Sequence, residues 1–270
     1  MTSTPRLTIG TRGSPLALAQ ARLVAEALAA AEPALAEPDA IATRIIRTTG
    51  DHVLDRPLAE LGGKGLFTKE IEAALLEGGI DLAVHSYKDM PTELPDGLVI
   101  AACLPRADPR DALISTAAAA IHELPQEAVV GTASLRRAAQ TLALRPDLRI
   151  VPLRGAVGTR LRKLAEGEVC ATFLAMAGLA RLRVADAPLT PIDPAVMLPA
   201  VAQGAIAVEA RARDAPVLAL LRLIDHPPTA VCTAAERAFL AVLDGSCRTP
   251  IAAHAVLDDG ELWLRGLVAA

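Results

Sequence analysis

Leu7-Thr8-Ile9-Gly10-Thr11-Arg12-Gly13-Ser14-Pro15-Leu16-Ala17-Leu18-Ala19-Gln20 passes from an apolar strand through a polar turn into a helix. Ser14 is the natural N-cap, because its hydroxyl can accept an orphan helix N–H, and Pro15 suits the first helical position, where no N–H is needed. The same order returns at Gly131-Thr132-Ala133-Ser134, with Ala139-Gln140 where the first copy has Ala19-Gln20. Two such copies predict two similar α/β lobes, each offering a helix N-terminus to an anion. Chance similarity competes with this reading, since the copies slip by one residue.

Working outward, strand-like apolar runs fall at residues 41–47, 81–86, 99–104, 129–132, 149–153 and 171–174, with helical patterns between several of them. Phe67, Ile71, Ala74 and Leu75 mark one such helix, ending at Gly78-Gly79. The alternation predicts a mostly parallel α/β sheet. Proline-rich segments at 104–109, 190–194 and 225–229 are candidate domain crossings. Ile206-Val208-Ala210 is placed to rejoin the first sheet, which makes a double-crossed hinge of the kind that frames a cleft.

Composition narrows the function. At 270 residues, 52% of them hydrophobic, the chain is long enough for two or three packed domains. The longest uncharged stretch, Pro194 to Val208, falls short of the ~20 apolar residues that span a bilayer. Met1 to Arg6 leads straight into a strand without a signal-like apolar run, so a cytoplasmic location is expected. A net charge of −4, with three Phe, one Tyr and one Trp, disfavours nucleic-acid binding. Cys103, Cys170, Cys232 and Cys247 form no Cys-x-x-Cys pair, so neither a metal site nor a disulfide framework is expected.

Several turns carry polar groups suited to chemistry. Ser134-Leu135-Arg136-Arg137 sets a hydroxyl cap beside two guanidiniums able to clamp carboxylates or phosphates, although an arginine pair alone reads more readily as a solvated helix face. Arg12, Lys88, Arg154 and Arg160 stand at other turns, so a polyanionic ligand fits their convergence. His85-Ser86-Tyr87-Lys88-Asp89 ends a buried-looking strand, where open α/β folds bind ligands, and Asp89 is the candidate catalytic carboxylate. His85 is expected to turn back into the sheet as a hydrogen-bonded core residue. Leu61-Gly62-Gly63-Lys64-Gly65 lacks the spacing of a nucleotide-cradling loop and reads as a lid or an ordinary helix entry. Asp244-Gly245-Ser246-Cys247-Arg248 holds a thiol on a tight turn, a poor setting for a merely buried cysteine.

Together these blocks resemble porphobilinogen deaminases. The match runs through residues 11–18, Gly62 to Phe67, His85-Ser86 with Lys88-Asp89, Ser134 to Arg137, Leu153-Arg154-Gly155, Gly158 to Leu161, and Leu198 to Val201 with Gln203-Gly204. The resemblance implies an α/β fold of two periplasmic-binding-protein-like lobes with a hinge and a smaller α+β third domain. The corresponding divisions are 1–104 with 205–224, then 105–204, then 225–270. Family members continue beyond the point matching Ala270, so the third domain is expected to be short. Glu60, Ala133 and Ala156 depart from the residues common in the family.

By that resemblance, a dipyrromethane cofactor is attached through a thioether to Cys247, with Lys88, Thr132, Ser134, Arg136 and Arg137 holding its carboxylates. Arg12, Ser14, Ser86, Arg154, Arg160 and Arg181 are expected to hold porphobilinogen, and Asp89 to serve the pyrrole nitrogens. Four units would join head to tail into hydroxymethylbilane, for tetrapyrrole biosynthesis, with release of ammonia. No metal, nucleic acid, membrane or second subunit is implied. A non-catalytic two-lobe binding protein for small carboxylates would use the same arginines without Asp89 or Cys247, and a thiol-dependent acyl-transfer enzyme would need the cysteine alone.

Overall fold

The computed structural model describes residues 6–52, 65–185, 187–243, 245 and 249–269. In chain order the elements are β1 (Leu7–Thr11), α1 (Pro15–Ala31), β2 (Ile41–Ile45), α2 (Thr49–His52), α3 (Lys69–Leu76), β3 (Leu82–Ser86), β4 (Leu98–Cys103), β5 (Asp111–Ile114), β6 (Val129–Gly131), α4 (Leu135–Leu144), β7 (Arg149–Val151), α5 (Val157–Ala165), β8 (Ala171–Ala175), α6 (Met176–Arg181), β9 (Leu189–Pro191), β10 (Ile206–Arg211), α7 (Ala215–Arg222), α8 (Pro227–Val242), β11 (Ile251–Asp258) and β12 (Glu261–Val268). They fall into two compact units, Met1–Arg106 with Ala205–Val231, and Ala107–Gly204 with Cys232–Ala270.

The first unit is a five-stranded sheet in the order β2-β1-β3-β10-β4, and the second is its counterpart, β7-β6-β8-β5-β9. In each, the first three strands pair in parallel and the fourth lies antiparallel to both neighbours. The sheets are therefore α/β as expected but mixed in their pairing. In each unit the antiparallel strand is the one the chain enters just after leaving the other unit, so its direction follows from that entry.

β1 and β6 hold the same place in their sheets, so the repeated strand–turn–helix sequence is a repeat in structure. Ser14 caps α1 by accepting the Ala17 N–H, and Ser134 caps α4 by accepting that of Arg137. α3 closes at Gly78, whose φ of 73° is the left-handed value that a helix end favours in glycine.

Helices cover both faces of the first sheet. Leu82 and Val84 of β3 and Val208 of β10 join one core with Val24 and Leu28 of α1 and Leu221 of α7. Ala83, one residue out of phase, packs instead with Ile71 and Leu75 of α3. In the second unit Phe173 and Val130 face one core while Leu174 and Ile114 face the other.

The structure revises one reading. Thr190-Pro191 belongs to β9, an edge strand where proline's missing N–H is tolerated, and the chain returns to the first unit after Gly204. Three strands were missed: β5 and β9 are short, and β12 is exposed along most of its length, so its apolar residues gave no burial pattern.

Candidate functional site

In the first unit, the ends of β1 and β3 and the start of α1 meet in a pocket. Arg12, Ser14, Gln20, Phe67, Ser86 and Asp89 are among its lining residues. The Arg12 guanidinium lies 4.2 Å from the centre of the Phe67 ring, a cation–π contact that holds the positive group at the rim. Gln20 is buried and exchanges hydrogen bonds with Ser86: its Nε2 donates to the hydroxyl at 2.9 Å, and its Oε1 lies 3.1 Å from the same oxygen. β3 ends in a short turn of 3-10 helix, Tyr87–Asp89, where Tyr87 is buried, Lys88 half-buried and Asp89 exposed. The turn thus anchors on its tyrosine and presents its carboxylate.

The second unit uses the equivalent turn differently. Asp111, at the start of β5 and fully buried, accepts from Arg136 Nη1 at 2.7 Å, from Arg137 Nη2 at 2.6 Å and from Gln203 Nε2 at 3.0 Å. Arg136 also donates to the Leu198 carbonyl and Arg137 to that of Phe173. Burial alone would raise the Asp111 carboxyl, but the Arg137 and Arg136 charges outweigh it and hold the group well below the ordinary carboxylate range. Burial lowers Arg136, further lowered by Arg137 and offset by Asp111. Two guanidiniums on one carboxylate leave one surplus positive charge in a buried cluster, and an anionic group fits that surplus.

Around this hub, the Thr132 hydroxyl accepts the Ser134 N–H at 3.2 Å. Arg160, on α5, donates through Nε to the Gly155 carbonyl at 2.8 Å, and Arg154 is half-buried on the loop between β7 and α5. Arg181, at the end of α6, donates to the Gly204 carbonyl at 2.6 Å, and burial lowers its guanidinium to about 10. Gly204 has φ 92°, and a Cβ there would stand 2.4 Å from the Ala107 carbonyl oxygen, so only glycine serves. Glu236 of α8 accepts the N–H of Ala202 at 2.6 Å and that of Ala255 at 2.7 Å, tying this loop to β11.

The structure therefore gathers Arg12, Ser14, Ser86 and Asp89 in one pocket, and Thr132, Ser134, Arg136 and Arg137 at one helix start. Cys247, Ser246 and Arg248 lie outside the described residues, as do Leu61 to Lys64 and Glu60. The base of the cysteine turn is described at Gly245, whose N–H donates to the Leu240 carbonyl at 2.9 Å. Asp111, Gln20 and Gln203 were not singled out as site residues. An acid heading the wholly apolar Ala112-Leu113-Ile114 was the available sign, since a buried carboxylate must find partners.

Each α/β unit carries cation-bearing turns at its strand ends, the mark of a protein that binds small polyanions. Comparison with known proteins makes this specific. A family model described as "Porphobilinogen deaminase, dipyromethane cofactor binding domain" matches residues 7–219, and one described as "Porphobilinogen deaminase, C-terminal domain" matches residues 230–270. The porphobilinogen deaminase of Paracoccus denitrificans is 59% identical over 258 residues, covering 96% of this chain and 82% of that one. The chloroplastic porphobilinogen deaminase of Oryza sativa is 55% identical over 263 residues, covering 97% and 74%. Among solved structures, an ABC transporter / periplasmic binding protein from Brucella ovis with glutathione bound superposes on 80% of this chain and 65% of its own at 16% identity and a TM-score of 0.46. The chain belongs to the porphobilinogen deaminase family.

Proposed function

We propose that this chain joins four porphobilinogen units head to tail into hydroxymethylbilane, with Asp89 as the catalytic carboxylate and Cys247 as the attachment point of a dipyrromethane cofactor. The observation that carries the reading is the pocket that sets an exposed carboxylate, Asp89, beside Arg12, Ser14 and Ser86. By the family resemblance, Arg12, Ser14, Ser86, Arg154, Arg160 and Arg181 are the residues assigned to the acetate and propionate groups of porphobilinogen. Charge-assisted hydrogen bonds of this kind orient a carboxylate as well as bind it.

As the carbon–nitrogen bond of the substrate's protonated aminomethyl group breaks, its electron pair leaves with the nitrogen as ammonia and the positive charge passes to the pyrrole. A carboxylate at the pyrrole N–H stabilises that charge where it develops, and can accept the proton lost when the ring regains aromaticity. Asp89 is suited to both tasks because its turn holds it out from a buried tyrosine anchor. The surplus charge of the Asp111–Arg136–Arg137 cluster fits the acidic cofactor, which Lys88, Thr132, Ser134, Arg136 and Arg137 hold. When bound, the dipyrromethane supplies the free α-carbon from which the chain is extended.

The same reading takes residues 1–104 with 205–224, 105–204 and 225–270 as three domains, and the protein as a cytoplasmic monomer. Among the described residues no helix is long and apolar enough to cross a membrane, which is compatible with that location.

Intact mass of the purified chain is the test. Wild type is expected to carry the added mass of a dipyrromethane, and Cys247→Ala to lack it and to lose turnover entirely. A wild-type chain that is fully active yet unmodified at Cys247 refutes the assignment.

A further inference from the structure

Behind the part of the pocket wall made by His85 lies a set of titratable groups that the reaction does not use. On β3, Ala83 and His85 face α3, and Glu209 of β10, paired with Ala83, faces the same way. His85 Nε2 lies 3.0 Å from Glu209 Oε2, with the two side chains 5% and 0% exposed. Glu72 of α3 is also buried, and burial, with a smaller repulsion from Glu209, disfavours its ionisation. Glu209 Oε1 and Glu72 Oε1 each lack a hydrogen-bond partner.

Two buried carboxylates with donorless oxygens are costly to keep anionic together without a matching cation. The elements around them supply one titratable partner. β1 carries no titratable side chain and β4 only Cys103. Arg211 of β10 is committed to the carbonyls of Leu75 and Ile80 and to Asp214, and Glu70 of α3 to Thr49. The Thr68 hydroxyl, next in influence after burial, and His85 both ease the ionisation of Glu72 without overcoming burial, and Thr68 makes no hydrogen bond of good geometry. The three groups do not form a metal-ligating set. His85 is engaged by Glu209 at 3.0 Å, which leaves Glu72 without a matching cation of its own among the described residues.

We propose that Glu72 is a neutral, protonated acid in the working enzyme and that, with the His85–Glu209 pair, it forms a buried support that positions the Ser86–Asp89 turn. The support rests on the proposed role of that turn, but the protonation of Glu72 does not. Burial is the largest influence on Glu72 and raises it above the ordinary 4.5. A carboxyl raised in the fold stabilises it fully below the ordinary value, and that contribution is lost as pH rises through the folded value. His85, one residue before Ser86, is a positioning residue acting through the strand end.

Two measurements test this. Thermal unfolding of cofactor-loaded wild type and Glu72→Gln, from about pH 5 to about pH 9, should show wild type losing melting temperature relative to the variant as pH rises. Parallel curves overturn the proposal, and so does an unfolded Glu72→Gln, because a neutral isostere must fit where a neutral acid does. This arm needs no substrate, so it decides Glu72 even if the assigned reaction fails. For the positioning role, His85→Ala should lower kcat about tenfold with KM changed less than about twofold, and His85→Gln, which keeps a donor for Glu209, should recover most of it. Equal losses in the two variants sink the role; if His85→Ala does not fold, Glu209→Gln replaces it, with the same loss of kcat expected.

Discussion

The two units build one motif and use it in opposite ways. In the first, the turn after β1 and the capped start of α1 keep Arg12 and Ser14 half-exposed on a pocket. In the second, the turn after β6 and the capped start of α4 bury Arg136 and Arg137 against Asp111. Each helix also carries a buried glutamine, Gln20 holding Ser86 and Gln140 holding both backbone groups of Leu198. The lesson is that the motif fixes where polar groups go, while the fourth strand of the sheet, two places away, decides whether they meet solvent or a partner. β5 begins with an acid, and its counterpart β10 begins with Ile206.

The sharpest way to break the contrast is Asp111→Asn, which leaves two buried guanidiniums without their carboxylate. A loss of about 3–5 kcal/mol is expected in denaturant unfolding. The pH dependence has a definite sign: a carboxyl held below its ordinary 3.8 contributes stability that is fully present above that value and is lost as pH falls through the folded one. Wild type should therefore lose stability in acid more steeply than Asp111→Asn.

Asp89→Asn probes the other unit. Because Asp89 is exposed, melting should stay within about 0.5 kcal/mol of wild type while kcat falls roughly 100- to 1000-fold with the cofactor retained. Unchanged turnover would remove Asp89 from its assigned role. The matched pair Ser14→Ala and Ser134→Ala should each cost about 1 kcal/mol through a lost cap, so a larger effect at Ser134 would show that its helix start is coupled to the buried arginines. The smallest change is expected for Phe67→Leu, about 0.5–1 kcal/mol in substrate binding, seen as a modest rise in KM as Arg12 loses its ring.

Much of this was legible in the residues. Strand positions, both serine caps and the closing glycine of α3 follow from local rules, since apolar runs, a hydroxyl before a helix and a left-handed helix end act within a few residues. His85 was read correctly as a hydrogen-bonded core residue from strand alternation, and Asp89 was placed at a strand end. The arginine pair was legible as a cationic feature but not as a buried one, because its partner stands 25 and 26 residues away on another strand. The short antiparallel insertions were illegible for a similar reason, as strand direction depends on where the chain re-enters a sheet.

The sequence alone determined the repeated strand–turn–helix units, the cation-bearing turns and, through its ordered blocks, the family. Tertiary structure alone decided which charges are neutralised, since burial and a distant carboxylate set that balance. It alone also placed Glu72, His85 and Glu209 on one face, because only the packing of α3 on the sheet brings together residues from positions 72 and 209.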